Sequence, residues 1–400
     1  METYMQAVQI SEKVYWVGAI DWNLREFHGY RTGRGSTYNA YLILAEKITL
    51  VDTVKAPFRE EMLARIRSVI GDEKKIRVIV SNHAEMDHSG LLKEMIELVQ
   101  PEAVYASGNG LKALEAHFGI GKYITEVQSG TEVDLGGATL QFLKTPMLHW
   151  PDSMFCIYVE EKILFSQDAF GMHFATSRLF AEENDRAVME EEMRKYYANI
   201  LLPYSPQVGK LLAGVTLDFR IIAPDHGPVW RGDLLAMPAE LYTKWSSQVP
   251  EKRAVIVYSS MWHSTEKMAF AISDGLRKSG MEVKLFSTEA TYRSEVMTEI
   301  MGSALVFAGS PTLNNQMYPA MADMLCYMKG LRVKNCKGAA FGSYGWSGEA
   351  VSRINKELEE MKVELIHEGL KVQYVPTQED LQKCFELGFN AGTDFIKNNP

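Results

Sequence analysis

From residue 254 onward the chain repeats one pattern. Short, largely apolar runs lie at 254–258, 283–286, 304–308, 338–341 and 372–375, with polar or glycine-rich loops and helix-length segments between them. Runs so short and apolar suit strands buried on both faces, and helical crossovers between them make such strands parallel. The second half is therefore constrained to a doubly wound α/β sheet, with a further short strand at 363–365. The polar stretch 244–253, which contains Pro250, reads as a linker and places domains at 1–250 and 251–400.

The first half is built differently. Strand-like segments at 14–17, 40–44, 48–52, 76–80 and 103–107 alternate with helical patterns at 58–70, 91–98 and 110–118. From residue 131 the pattern becomes strand-rich, at 139–143, 154–159 and 163–166. A helical stretch over about 183–200 and a strand at 219–223 follow. At roughly 150 residues per domain, 400 residues suit two or three domains.

Composition narrows the function. Forty-two basic against 51 acidic residues, a net charge of −9, argue against nucleic acid or an anionic membrane as partner. No run approaches 18 uninterrupted apolar residues, and the start of the chain lacks a basic segment followed by an apolar core. These features point to the cytoplasm. Cys156, Cys326, Cys336 and Cys384 form no CxxC pair, which excludes a zinc ribbon or a rubredoxin-type iron site of ordinary spacing.

The strongest chemical signal is His83-Ala84-Glu85-Met86-Asp87-His88, just past the strand 76–80. Two imidazoles and two carboxylates without a thiolate suit iron, manganese or zinc. A loop at a strand end can converge them, whereas a continuous helix would spread His83 and Glu85 onto different faces. The bland alternative is a helix N-terminus with Asp87 as cap and Glu85 in solvent. His149, Asp168 and His226 also follow or separate strands and supply more donors for the same face. Taken singly, each histidine could be structural.

A second constellation begins after the strand 254–258. Ser260-Met261-Trp262-His263-Ser264-Thr265 gathers hydroxyls and backbone N–H groups at a helix N-terminus, an anion cradle without a lysine. Ser310-Pro311-Thr312-Leu313-Asn314 and Ser343-Tyr344-Gly345-Trp346-Ser347-Gly348 sit at other strand ends of the same sheet, where open parallel sheets bind ligands. A plain N-cap at Ser264 or Thr265 is the alternative.

The donor spacing resembles the metallo-β-lactamase fold, an αββα sandwich, with Glu85 where hydrolases carry the second histidine of HxHxDH. The resulting HxExDH, together with the SMWHSTEKM segment, resembles the flavodiiron proteins along essentially the whole chain. The resemblance implies an N-terminal metallo-β-lactamase-like αββα domain followed by a flavodoxin-like domain. It implies FMN on the three loops and two non-haem irons. His83, Glu85 and His149 would hold one iron, Asp87 and His226 the other, and Asp168 would bridge them. His88 and His173 join the catalytic set without being counted as ligands. Trp150, Phe27, His28 and Tyr30, and less strongly Tyr196 and Tyr197, are pocket candidates.

The activity so implied is four-electron reduction of dioxygen to water, with nitric oxide reduction to nitrous oxide as the alternative. The electron donor would be separate, rubredoxin before F420H2, and the assembly a head-to-tail homodimer or a dimer of dimers. A metallohydrolase fused to a flavodoxin and a non-catalytic redox or gas sensor are the competing classes. Glu85 speaks against the hydrolase.

Overall fold

A computed structural model describes residues 5–214 and 218–399. Its contacts divide the chain into two compact units. The first comprises the chain up to His28, Thr32–Tyr196 and Pro206–Thr243; the second comprises Gly29–Arg31, Tyr197–Ser205 and the chain from Lys244 onward.

The first unit contains two main sheets. One runs in the order Val8–Gln9, Val14–Trp16, Tyr41–Ile43, Thr49–Val51, Val78–Val80, Ala103–Ser107, Ile124–Val127. The other runs Glu132–Asp134, Thr139–Lys144, Met154–Tyr158, Ile163–Gln167, Ile221–Pro224, Trp230–Arg231. The period-two alternation of strands sorts the core into layers. Tyr41, Ile43, Val51, Val78 and Val80 face Phe142, Met154, Cys156 and Phe165 of the opposite sheet. Their neighbours Leu42, Leu50 and Ile79 turn the other way, onto Met62, Leu63 and Ile66 of helix Arg59–Ile70 and Met95 and Ile96 of helix Leu92–Val99. On the second sheet, Tyr242 of helix Met237–Ser246 packs on Phe170 at 4.9 Å between ring centroids, and Phe170 lies 6.2 Å from Phe155. The result is the metallo-β-lactamase-like αββα sandwich.

The second unit is a parallel sheet in the order Glu282–Ser287, Glu251–Tyr258, Ser303–Gly309, Lys337–Tyr344. Glu364–Leu365 and Leu370–Gln373 both pair with the last of these. In chain order this is the 2-1-3-4-5 arrangement of flavodoxin-like sheets. Helices Ser264–Ser279 and Gln378–Asn398 approach closely because both lack a side chain at the crossing. A Cβ on Gly275 would stand 2.0 Å from the Phe385 carbonyl oxygen, and one on Gly388 2.2 Å from that of Ile272.

One expectation is corrected. The stretch 244–253 is not a linker: Lys244–Ser246 end a helix, and strand Glu251–Tyr258 begins before the stretch is over. Its polar residues misled because two side chains are buried with partners. Trp245 is 5% exposed and packs 5.5 Å from Tyr197. Arg253, 7% exposed, meets Glu251 at 3.1 Å and Glu299 at 3.6 Å.

Candidate metal centre and flavin cleft

Every donor named from the sequence leaves a strand end on one edge of the sandwich. His83, Glu85, Asp87 and His88 follow strand Val78–Val80; Glu85 is the N-cap residue of the short helix Met86–Ser89. His149 lies between Thr139–Lys144 and Met154–Tyr158, while Asp168 and His226 follow Ile163–Gln167 and Ile221–Pro224. The segment does begin a helix, but not with Asp87 as cap and Glu85 in solvent: Glu85 takes the cap position without a side-chain cap bond, and both carboxylates are buried.

Asp168 stands in the middle. Its Oδ2 is 2.8 Å from His149 Nε2 and 3.4 Å from His83 Nε2, and Glu85 Oε2 is 3.1 Å from His149 Nε2. Its Oδ1 is 3.5 Å from both His88 Nε2 and His226 Nε2. Asp87 Oδ2 lies 3.4 Å from each of those two nitrogens, which are 3.1 Å apart. The donors thus form two sets, one on each oxygen of a single carboxylate. His88, left outside the iron ligands at the sequence level, faces the centre as His226 does.

Buried polar atoms are nearly always hydrogen-bonded. Here both Asp87 oxygens, Asp168 Oδ1 and His83 Nε2 have no such partner among the described residues. Hard oxygens and imidazoles left unpartnered in one buried cluster fit a pair of iron, manganese or zinc ions. The electrostatics agree. Burial raises the Asp168 and Asp87 carboxyls, but neighbouring histidines outweigh it and hold both well below the usual carboxylate range. Burial lowers His83, yet Asp168, Asp225 and Glu85 lift it well above an ordinary imidazole. The two carboxylates are thus ready to bind a cation, and the His83 proton is the one a metal displaces.

Around the centre, His226 Nδ1 donates to the Thr37 carbonyl at 2.6 Å. His173 joins neither set. Its ring lies tilted against His226 at 4.6 Å between centroids, with Nδ1 2.8 Å from Ser36 Oγ, and burial holds it well below an ordinary imidazole. Phe27 and Tyr196 lie 5.0 and 5.1 Å from the His173 ring. His28, with 74% of its side chain exposed, reaches Glu85 Oε1 through Nε2 at 3.2 Å. Tyr197, which opens the π-helical segment Tyr197–Leu201 of the second unit, pairs with Ser205 at 3.1 Å. Trp150 packs 6.5 Å from His117, and Tyr30 is buried in the second unit. Sequence reasoning passed over Ser36, Thr37, Asp52 and Asp225. Asp52 accepts from Asn82 N at 2.7 Å and Asn82 Nδ2 at 2.6 Å, anchoring the start of the donor loop.

In the second unit, a cleft of about 420 Å³ opens at the carboxyl ends of the strands. Of the expected loop residues, it is lined by Met261, Trp262, Ser264, Pro311, Thr312, Leu313, Asn314, Ser343, Tyr344, Gly345 and Trp346. Tyr374 and Val375 complete it and were not foreseen, since their segment carries no glycine or hydroxyl signal. Trp262 and Trp346, 86% and 90% exposed, offer flat surfaces with no protein over them. Helix Ser264–Ser279 starts beside the cleft with no side-chain cap. Thr265 Oγ1 lies 2.9 Å from Ser343 Oγ, so the hydroxyl joins two loops rather than lining the cleft.

Ser260 and His263 face an adjoining hollow with Glu266 and Glu289; Ser260 Oγ is buried there without a partner. Ser310 shapes its own turn, accepting from Tyr318 N at 2.8 Å, and Ser347 and Gly348 do not line the cleft. Aromatic walls and a helix N-terminus at the cleft, with an unpartnered hydroxyl in the hollow beside it, fit a phosphorylated flat ring such as FMN. A larger hollow of about 810 Å³, lined by Lys337, Glu364 and Lys383, takes in Lys337, where its strand begins; ligands of such sheets bind at the opposite ends.

Fold and site together define a two-module redox protein, with a carboxylate-rich dimetal domain of metallo-β-lactamase type ahead of a flavodoxin domain. Comparison with known proteins agrees. The ODP family of β-lactamases matches residues 37–227 and the flavodoxin family residues 256–388. The chain is 45% identical to a nitric oxide reductase of Moorella thermoacetica, over 96% of this chain and 97% of that one. Rubredoxin oxygen:oxidoreductase from Desulfovibrio gigas superposes with a TM-score of 0.95 at 42% identity, covering 98% of this chain and 99% of the other. The flavodiiron protein of Giardia intestinalis superposes with a TM-score of 0.95 at 37% identity, over 99% of both chains. The chain belongs to the flavodiiron protein family.

Proposed function

We propose that this chain is a flavodiiron oxidoreductase that reduces dioxygen to water, nitric oxide to nitrous oxide, or both. The observation that carries this reading is the division of buried donors between the two oxygens of Asp168. His83, Glu85 and His149 would hold one iron, Asp87 and His226 the other, with Asp168 shared; His88 stands close enough to join the second set. When bound, FMN and the iron pair supply electron transfer and reduction of a diatomic gas.

The chain's own residues set the conditions. Three carboxylates among the donors offset cationic charge and favour hard, oxidised iron over the more neutral hydrolase set. Burial keeps bulk water from the centre, which strengthens every charge interaction there. His28 gives solvent a hydrogen-bonded step to Glu85. In the second unit, Trp262, Tyr344 and Trp346 would flank the flavin ring, and the start of helix Ser264–Ser279 would take the phosphate.

Rubredoxin as donor is supported by the name of the Desulfovibrio gigas relative, and nitric oxide as substrate by that of the Moorella relative. A head-to-tail dimer and a cytoplasmic location belong to the same proposal and rest on the family resemblance. No helix among the described residues is long and apolar enough to cross a membrane.

The test is turnover of O2 and of NO by one preparation containing FMN and two irons per chain, with reduced rubredoxin as donor. Consumption of either gas, dependent on both cofactors, is expected. A protein from its native cells that holds two zincs and consumes neither gas would overturn the reading.

A further inference from the structure

Asp225 is fully buried, and neither of its carboxylate oxygens has a hydrogen-bond partner among the described residues. Its main chain is fixed: the N–H donates to the Gln167 carbonyl at 2.9 Å, and the carbonyl accepts from Asn39 N at 2.7 Å. The side chain therefore has little freedom to seek a donor elsewhere. Two unpartnered donors stand in front of it. Its Oδ2 is 3.7 Å from His83 Nδ1 and 3.6 Å from His88 Nδ1, and both nitrogens are buried without a hydrogen-bond partner. The same two rings point their Nε2 atoms at opposite oxygens of Asp168.

A buried carboxylate facing two buried imidazole nitrogens is satisfied on both sides when both Nδ1 atoms carry the proton and point it at the carboxylate. That arrangement leaves both Nε2 atoms as free lone pairs directed at the centre, the state a metal ligand needs. His226 reaches the same state through the Thr37 carbonyl. The Nδ1 atoms of His83 and His88 have no such main-chain acceptor among the described residues, and one carboxylate is left to serve both.

We propose that Asp225 is a positioning residue that sets the tautomer and orientation of His83 and His88 together, and so ties the two halves of the metal centre to one anchor. This rests on the di-iron reading above. Because His83 and His88 sit on different sides of Asp168, loss of Asp225 disturbs a ligand of one metal position and the histidine beside the other, unlike loss of the Thr37 contact, which acts on His226.

The test uses the iron- and FMN-loaded protein with Asp225→Asn and Asp225→Ala. Asn keeps the shape and an acceptor oxygen but not the charge; Ala removes both. Competition with an Fe(II) chelator is expected to show iron affinity reduced by about 10- to 100-fold, more for Ala than for Asn. In the NMR spectrum of the Fe(II) form, the exchangeable, hyperfine-shifted N–H signals of His83 and His88 should move and exchange faster with solvent. The His226 signal, held by Thr37, is the internal standard and should stay. If Ala does not fold, Asn alone decides, since a packing role would leave this isosteric variant like wild type. Wild-type iron retention and unchanged N–H signals in Asn would overturn the proposal. A wild-type protein that binds no iron pair would overturn the di-iron reading beneath it.

Discussion

Asp168 is the residue on which both donor sets depend, because no other side chain among the described residues faces His149 with one oxygen and His226 with the other. Asp168→Asn keeps the volume, removes the charge, and replaces one acceptor by an N–H₂ group that opposes a metal ion. We expect loss of at least one iron per chain. Gas reduction should fall by at least about 100-fold, the upper end of what losing a mere outer partner costs, while the flavin remains reducible by the donor. Metal analysis beside stopped-flow flavin reduction checks both halves. Normal iron content with normal turnover would remove Asp168 from the centre. His83 to His88 were legible in the sequence because their spacing is local. Asp225 was not, although it sits next to His226: its role depends on which atoms pack behind two distant rings.

At the scale of elements, the crossing of helices Ser264–Ser279 and Gln378–Asn398 makes a signed prediction. Gly388→Ala puts a methyl group against the Ile272 carbonyl and should destabilise by about 1–3 kcal/mol, a typical cost of overpacking. Gly330→Ala, in helix Pro319–Leu331 with nothing within 4 Å of the new methyl, should instead stabilise by about 0.4–1 kcal/mol. Urea unfolding of the two variants should move in opposite directions; a shift of the same sign would refute the packing account.

The turn after helix Arg59–Ile70 gives a pH-dependent case. Arg67 grips Glu73 through two hydrogen bonds of 2.7 Å and, beyond the opposing effect of partial burial, holds its carboxyl below the ordinary 4.5. A depressed folded value means the contribution is complete above the ordinary value and is lost as pH falls through the folded one. With Arg67 39% exposed, solvent screening limits it to about 1 kcal/mol. Wild type should therefore exceed Glu73→Gln in urea midpoint at pH 7, with the gap closing in acid. A gap that widens in acid would contradict this sign.

The strand pattern of both units was readable because short apolar runs between turn signals suffice to mark buried strands, parallel in the second unit and mixed in the first. The helix Met237–Ser246 and the walls Tyr374 and Val375 were not. Their burial depends on partners remote in sequence, such as Phe170 for Tyr242.

For the whole molecule, the proposed head-to-tail assembly predicts rescue between damaged chains. Asp168→Asn lacks a working iron pair, and a variant altered at 260–265 lacks FMN. Each homodimer should be inactive. A mixed dimer holds one intact flavin and one intact iron centre on opposite chains, and should recover up to about half of the wild-type rate per dimer if the two units act independently. Co-expression with two affinity tags, cofactor analysis and O2 consumption measure this. A pure mixed dimer with the right cofactors and no activity would refute transfer between chains.

The two donor sets around Asp168 also differ in when they can exist. The side made by His83, Glu85 and His149 has all its direct donors once residue 168 has left the ribosome, but the side containing Asp87 and His88 must wait for His226. At about 5–20 residues per second, that interval lasts several seconds. Every direct donor on one side of Asp168 is therefore synthesised several seconds before the last donor of the other, while Asp225, proposed to orient His83, arrives only beside that last donor.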